Sequence, residues 1–146
     1  MTNKQRKITV DVLMLIFVVL SFVRWDGASG FVFHAIVSSI FIILIIMHLW
    51  LNRNWIFSTV DAIREKRANK KTKQLFAVNL SLIIVWDITI ITGFLAIPSF
   101  IYGLESFYIF GRIHAISSRI GAVLIIIHIF QHLAHIRGYL GLTGKN

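Results

Sequence analysis

Of the 146 residues, 57% are hydrophobic and 14% are charged, a balance too apolar for an ordinary soluble domain or for a disordered chain. The chain has no cysteine, which excludes disulfide scaffolds, zinc fingers, iron–sulfur clusters and thioether-attached haem. Its formal net charge is +9, but the basic residues flank apolar blocks and line no soluble face, so the charge indicates a membrane protein and not a nucleic-acid-binding one.

Four apolar blocks predict four transmembrane helices that form one all-α domain, residues 1–146, with the architecture of a four-helix bundle. A bilayer core about 30 Å thick requires roughly 20 helical residues to cross it. The predicted spans cover approximately residues 8–25, 31–53, 75–97 and 109–136. The first span follows basic residues, as the core of a signal peptide does. Since no convincing cleavage site follows it, we expect it to be a retained helix.

The connections between the spans carry their own signals. In the outer connection over residues 98–108, Pro98 and Gly103 are expected to stop the preceding helix. The inner connection over residues 52–74 is predicted to contain a short amphipathic helix around residues 56–66.

The basic residues are concentrated at one end of the predicted spans. They occur in the N-terminal tail, in the inner connection and after the last span (Lys4, Arg6, Lys7, Arg53, Arg64, Lys66, Arg67, Lys70, Lys71, Lys73, Arg137, Lys145). The opposite side holds only Arg24 and Arg112. Because cytoplasmic loops carry the excess of lysine and arginine, both termini and the inner connection are predicted to be cytoplasmic.

All six histidines lie in the second and fourth spans or at the inner end of the fourth (His34, His48, His114, His128, His132, His135). An ionisable side chain within a membrane is a functional hypothesis by default. Thirteen residues separate His34 from His48, and the same number separates His114 from His128. The repeated spacing predicts that these four act as a set.

A step of fourteen positions corresponds to about 21 Å along a helix and close to four turns, so both histidines of a span face one seam. The second and fourth spans run in the same direction, which places His34 and His114 at matching outer depth. His48 and His128 lie at matching inner depth. Two such pairs are what two b-type haems with paired axial imidazoles require, and Gly121 is predicted to admit the flat macrocycle. The alternative is that each histidine forms only an interhelical hydrogen bond.

Three arginines are candidates for contacts with haem propionates. Arg119 lies five residues after His114, and it is predicted either to neutralise a propionate of the outer haem or to pair with Asp87, since buried charges need partners. Arg24 and Arg112 lie near the outer rim, where they are either propionate contacts or ordinary interface arginines.

The histidines at the inner end of the fourth span form a second pattern. His128, His132 and His135 give the spacing H-x3-H-x2-H, which could hold a non-haem metal ion. We favour the interpretation that His132 and His135 lie at the interface and contact haem propionate, lipid or quinone, because no carboxylate follows in sequence to complete a hard metal site.

With these four histidines the chain resembles the four-helix haem core of respiratory cytochrome b. More specifically, the stretch HLWLNRNW at residues 48–55 is similar to the flavinylation-associated cytochrome family of small four-span bacterial proteins, and the resemblance covers nearly the whole chain. It implies a multi-pass protein of the bacterial cytoplasmic membrane that passes electrons from a quinol or a cytoplasmic-side donor to an extracytoplasmic flavin-bearing protein. Because the chain carries no fused flavin-binding domain, we expect that acceptor to be a separate polypeptide.

Two other classes of function remain open. The first is a membrane oxidoreductase with a histidine-bound non-haem metal, and the second is a non-redox membrane anchor subunit. We expect an electron-transfer subunit of an oxidoreductase system, with two haem b groups as cofactors, and not a free-standing enzyme.

Overall fold

The computed structural model describes residues 1–23 and 27–139, and at Ser99, Phe107 and residues 133–139 it describes the backbone alone. All regular secondary structure in this part of the chain is helical, which confirms the all-α prediction. The four helices are α1 (Asn3–Ser21), α2 (Gly27–Arg64), α3 (Lys70–Ile101) and α4 (Ser106–Tyr139).

Three stretches of helix are long and apolar enough to cross a membrane: Gly27–Arg64, Lys70–Pro98 and Tyr108–His132. At a rise of 1.5 Å per residue, even the shortest extends about 37 Å, beyond the roughly 30 Å of a bilayer core. Only 22%, 17% and 11% of their most apolar windows are buried within the protein. Their apolar side chains are therefore exposed, as lipid contact requires. This confirms the prediction of a membrane protein, and three of the four predicted spans correspond to these helices.

Helix α1 is shorter and begins with a capping box. The Thr2 hydroxyl accepts the backbone N–H of Gln5 (3.3 Å), and the Gln5 side-chain oxygen accepts the backbone N–H of Thr2 (2.8 Å). These reciprocal bonds satisfy two donors that a helix N-terminus otherwise leaves open. With 19 residues, α1 is not among the three helices that are both long and apolar enough to cross a membrane.

The described chain divides into two units, each a pair of packed helices. In the first unit, Met1–Arg64, α1 packs against α2, and in the second, Glu65–Asn146, α3 packs against α4. The buried side chains of the first unit are mainly aliphatic and aromatic (Val10, Val18, Val37, Phe41, Leu44, Thr59). The second unit buries small and hydroxyl-bearing side chains where its helices meet (Thr89, Thr92, Ala96, Ser117).

The inner connection is much shorter than predicted. Helix α2 continues to Arg64 and α3 begins at Lys70, so the predicted amphipathic helix at residues 56–66 is the end of α2 and not a separate element. The physical reason is that residues 52–64 contain neither glycine nor proline, the two residues that interrupt helices most strongly.

The break between α2 and α3 lies at residues 65–69. Lys66 adopts a left-handed conformation with φ of 58°, which is uncommon for a residue with a side chain and ends helical propagation. Asn69 then caps α3 by accepting the backbone N–H of Thr72 through its side-chain oxygen (2.8 Å). This short side chain is one of the favoured N-cap residues.

The expected helix stop at Pro98 is wrong, whereas the one at Gly103 is confirmed. Proline removes its own N–H but keeps its carbonyl, and the Pro98 carbonyl accepts the backbone N–H of Tyr102 (3.0 Å). Helix α3 therefore continues to Ile101. Gly103 follows with φ of +63°, the left-handed conformation in which glycine commonly ends a helix.

Candidate functional site

The first histidine of α2 and the first histidine of α4 contact a backbone carbonyl on the preceding helix. His34 Nδ1 lies 2.9 Å from the carbonyl oxygen of Ser21 on α1. His114 Nδ1 lies 2.9 Å from the carbonyl oxygen of Thr89 on α3. The two units therefore repeat the same contact at the same distance.

The second histidine of each helix contacts a side-chain oxygen instead. His48 Nδ1 lies 2.7 Å from Asp11 Oδ1 on α1, and His128 Nδ1 lies 2.7 Å from Asn79 Oδ1 on α3. Here the geometry is again shared, but the chemistry differs because one acceptor is a carboxylate and the other a neutral amide.

These four contacts determine the tautomer of each ring. Carbonyl, carboxylate and amide oxygens only accept hydrogen bonds, so Nδ1 must carry the proton and donate it. In the neutral imidazole the lone pair is then on Nε2, the nitrogen through which such a histidine binds a metal. Consistently, the Ser38 hydroxyl lies 3.4 Å from Nε2 of His34. Donation of one ring N–H to a carbonyl or carboxylate is the usual arrangement of metal-ligating histidines.

The same bonds also bear on the alternative that the histidines serve only to join helices. Each Nδ1 bond does connect the two helices of its unit, and an interhelical bond of this kind in a membrane contributes about 0.6–2 kcal/mol. Such a role requires only one ring nitrogen. All four rings are half-buried, and in the neutral ring the second nitrogen carries the lone pair that a metal requires, so the geometry fits axial ligation as well.

An internal sequence repeat accompanies these contacts. Residues 34–48 read HAIVSSIFIILIIMH and residues 114–128 read HAISSRIGAVLIIIH. They are identical at nine of 15 positions, namely 34, 35, 36, 38, 40, 44, 45, 46 and 48 of the first copy. The histidine spacing is therefore one part of a longer duplicated segment, which the analysis of spacing alone missed.

The hydrogen-bond acceptors follow the same duplication. Asp11 and Ser21 are ten positions apart on α1, and Asn79 and Thr89 are ten positions apart on α3. Helices α1 and α3 otherwise share few identities when aligned on these residues. The spacing between the two histidines and the spacing between their two acceptors are thus the same in both units. The repeated arrangement therefore involves a pair of helices and not a single helix.

Two glycines mark close approaches within the second unit. A Cβ on Gly121 would lie 3.3 Å from the Trp86 ring on α3, and a Cβ on Gly93 would lie 3.0 Å from Nδ1 of His114. Gly121 thus has a packing contact within its own unit, and its contact with haem stays a prediction. Gly93, which sequence analysis did not single out, leaves room for the imidazole of His114.

Two of the three arginines predicted to contact haem propionates lie in the described part of the structure. Arg119 and Arg112 are both exposed on α4. Asp87 is exposed as well, and among the described residues no ion pair joins it to Arg119, so the alternative pairing of these two charges is not formed. Arg24 lies outside the described residues. Propionate contacts by these arginines stay predictions.

At the end of α4, the ring of His132 lies against that of His128, with centroids 4.7 Å apart and planes inclined by 46°. The side chain of His135 lies outside the described part of the structure. Among the side chains that are described, no three histidine, aspartate or glutamate groups come together in a possible metal site.

Residues 48–55, the segment on which the family resemblance rests, make hydrogen bonds within α2 next to His48. The Asn52 side chain donates to the carbonyl oxygen of His48 (2.9 Å). One residue later, the Arg53 guanidinium lies 4.4 Å from the centre of the Trp50 ring and donates to the Trp50 carbonyl (2.9 Å). These contacts stabilise the helical turn that follows His48.

In comparisons with known proteins, no family model, no curated protein and no solved structure matches the chain. A functional proposal therefore depends on the geometry of the histidines, on the repeated histidine segment and on the three helices that are long and apolar enough to cross a membrane.

Proposed function

We propose that the chain is a b-type dihaem membrane cytochrome that carries electrons across the bacterial cytoplasmic membrane. The observation that carries the proposal is the shared state of four histidines, each of which donates Nδ1–H to an oxygen of the neighbouring helix. In the proposal, His34 and His114 are the axial ligands of an outer haem. His48 and His128 are the axial ligands of an inner haem.

The proposed topology has α1 as a fourth span of the bundle, with both termini in the cytoplasm. The 19 residues of α1 extend about 28 Å at 1.5 Å per residue, close to the thickness of a bilayer core. Lys4, Arg6 and Lys7 are at its N-terminal end, where the positive-inside rule favours the cytoplasmic side.

The residues of the chain have defined tasks in this function. The oxygen acceptors on α1 and α3 hold each imidazole in one tautomer and one orientation and increase the basicity of Nε2. An apolar surrounding favours the neutral imidazole that a metal requires. Bound haem supplies one-electron exchange between its ferric and ferrous states. Two imidazoles on each iron would leave no open coordination position for oxygen chemistry.

The redox partners follow from the resemblance at residues 48–55. The proposed donor is a quinol or a cytoplasmic-side reductant, and the proposed acceptor is a separate extracytoplasmic flavin-bearing protein. The chain is then an electron-transfer subunit whose haems connect the two sides of the membrane.

An absorption spectrum of the purified full-length protein tests this proposal against its rivals. Protein produced with ample haem supply should show a Soret band and, after dithionite reduction, the sharp α-band of a six-coordinate b-type haem. A colourless protein with bound iron, copper or zinc would instead support the non-haem oxidoreductase. A colourless protein without metal would support the anchor subunit.

A further inference from the structure

The two units differ at one position of their shared hydrogen-bond pattern. The oxygen that accepts from the second histidine belongs to the Asp11 carboxylate in the first unit and to the Asn79 amide in the second. We propose that Asp11 lowers the reduction potential of the haem bound by His48 relative to the other haem. This inference rests on the proposed function and assigns Asp11 the role of a tuning residue.

The geometry singles out the contact between Asp11 and His48. The Asp11 Oδ1 to His48 Nδ1 distance is 2.7 Å, and the side chains are 52% and 27% exposed. Within the described part of the chain, this is the only hydrogen bond that the Asp11 side chain makes. The Asn52 bond to the His48 carbonyl stabilises the helical turn that follows His48.

The direction of the effect follows from the charge of the acceptor. A carboxylate forms a stronger, charge-assisted hydrogen bond than a neutral oxygen does, and it draws the Nδ1 proton toward itself. The imidazole then donates more electron density through Nε2. Greater donation stabilises the ferric state and lowers the potential of the haem. The other three histidines donate to uncharged oxygens, so the effect is confined to one ligand of one haem.

The asymmetry also favours one direction of transfer. In the proposed topology His48 lies near the cytoplasmic face, so a lower potential at that level makes transfer from the inner to the outer haem the downhill direction. This direction agrees with an extracytoplasmic acceptor.

The duplication supplies matched variants for the test. Asp11→Asn keeps an acceptor oxygen of the same shape and removes the charge, which makes the first unit resemble the second. Asn79→Asp places the carboxylate beside His128 instead. The double variant Asp11→Asn with Asn79→Asp exchanges the two groups. A merely structural role for Asp11 would not move the haem potentials, because asparagine preserves the helix contact.

The experiment is a potentiometric titration of both haems in the full-length haem-loaded protein, at one pH and one ionic strength. Asp11→Asn should raise the potential of one haem by about 59 mV, a tenfold change in the equilibrium constant for one electron, and should leave the other unchanged. Asn79→Asp should lower the same potential, and the double variant should return it close to the wild-type value.

Distinct results would contradict the inference and the function. If Asp11→Asn retains both haems with unchanged potentials, or shifts both equally, the tuning role is wrong while the dihaem function stands. If the Asp11→Asn variant loses haem, the titration of the Asn79→Asp variant decides. A lowered potential of one haem in that variant supports the inference, and an unchanged potential overturns it. A wild-type protein that binds no haem overturns the proposed function and the inference together.

Discussion

Gly93 on α3 lies so close to His114 on α4 that a Cβ at position 93 would stand 3.0 Å from Nδ1 and 3.1 Å from Cε1 of the imidazole. That distance is shorter than an ordinary carbon contact, so a side chain at position 93 would push the ring away and strain its 2.9 Å bond to the Thr89 carbonyl. The absence of a side chain at position 93 therefore leaves room for the His114 ring in this orientation, the one in which we propose that it ligates haem.

The first prediction concerns this contact. Gly93→Val should displace the His114 ring and reduce the haem content from two to about one per chain, and Gly93→Ala should weaken haem binding in the same direction. Gly111→Ala is the matched control, because a Cβ on Gly111 meets no atom within 4 Å. Pyridine haemochrome assays of the three purified variants decide the matter. Full haem content in Gly93→Val would show that the ring tolerates the displacement.

The second prediction tests which histidines share a haem. His34→Ala and His114→Ala should each remove one haem, and the double variant should remove no more than either alone, because in the proposal both ligate the same iron. In contrast, His34→Ala combined with His48→Ala should remove both. His132→Ala, which removes an imidazole outside the predicted ligands, should retain two. The pairing is contradicted if His34→Ala with His114→Ala leaves a colourless protein that still folds.

The third prediction uses a size difference between the two repeats. The first copy has Phe41, buried, at the position of Gly121, which lies against Trp86. Gly121→Phe should therefore clash with the Trp86 ring and lower the free energy of unfolding by about 1–3 kcal/mol, as overpacking does.

A compensating substitution sharpens that prediction. Alignment of Asp11 with Asn79 matches Trp86 to the buried Val18. Trp86→Val in the Gly121→Phe background should recover most of the lost stability, with a coupling energy of about 0.5–3 kcal/mol. Thermal unfolding in detergent of both single variants and the double variant measures the coupling. Simple additivity would show that the positions do not pack as the duplication implies.

The fourth prediction concerns topology. Because the chain has no cysteine, one introduced cysteine reports its own location. A membrane-impermeant maleimide added to intact cells should label Glu105→Cys, between α3 and α4, but not Asn3→Cys or Asp61→Cys. Permeabilised cells should label all three, which serves as the control. Labelling of Asn3→Cys in intact cells would mean that α1 does not cross the membrane in the proposed direction.

The features that depend on composition and spacing could be predicted from sequence. The length and hydropathy of the apolar blocks predicted that α2, α3 and α4 would be long and apolar enough to cross a membrane. The spacing of 14 positions identified His34, His48, His114 and His128, each of which contacts an oxygen of the preceding helix in its unit.

The acceptors of the histidine bonds could not be predicted in the same way. Ser21 and Thr89 accept through backbone carbonyls, which every residue has, so no sequence pattern distinguishes them. Asp11 and Asn79 are visible as polar residues within apolar helices, but their partners depend on the register between two packed helices. The role of Gly93 likewise depends on an interhelical distance.

The boundaries of the helices were also less predictable than their existence. Residues 52–64 are more polar than the preceding span but contain neither glycine nor proline, so the helix continues beyond the end of the predicted span. Pro98 had a weaker effect than expected because it removes only its own N–H donor, while its carbonyl still accepts from Tyr102 in the last turn of α3.

The ratio of haem to polypeptide in purified wild-type protein tests the central claim most directly. Production with ample haem supply, followed by a pyridine haemochrome assay and an independent determination of protein concentration, should give two haem b per chain. A ratio near zero under those conditions would contradict the dihaem account, whatever the histidine geometry.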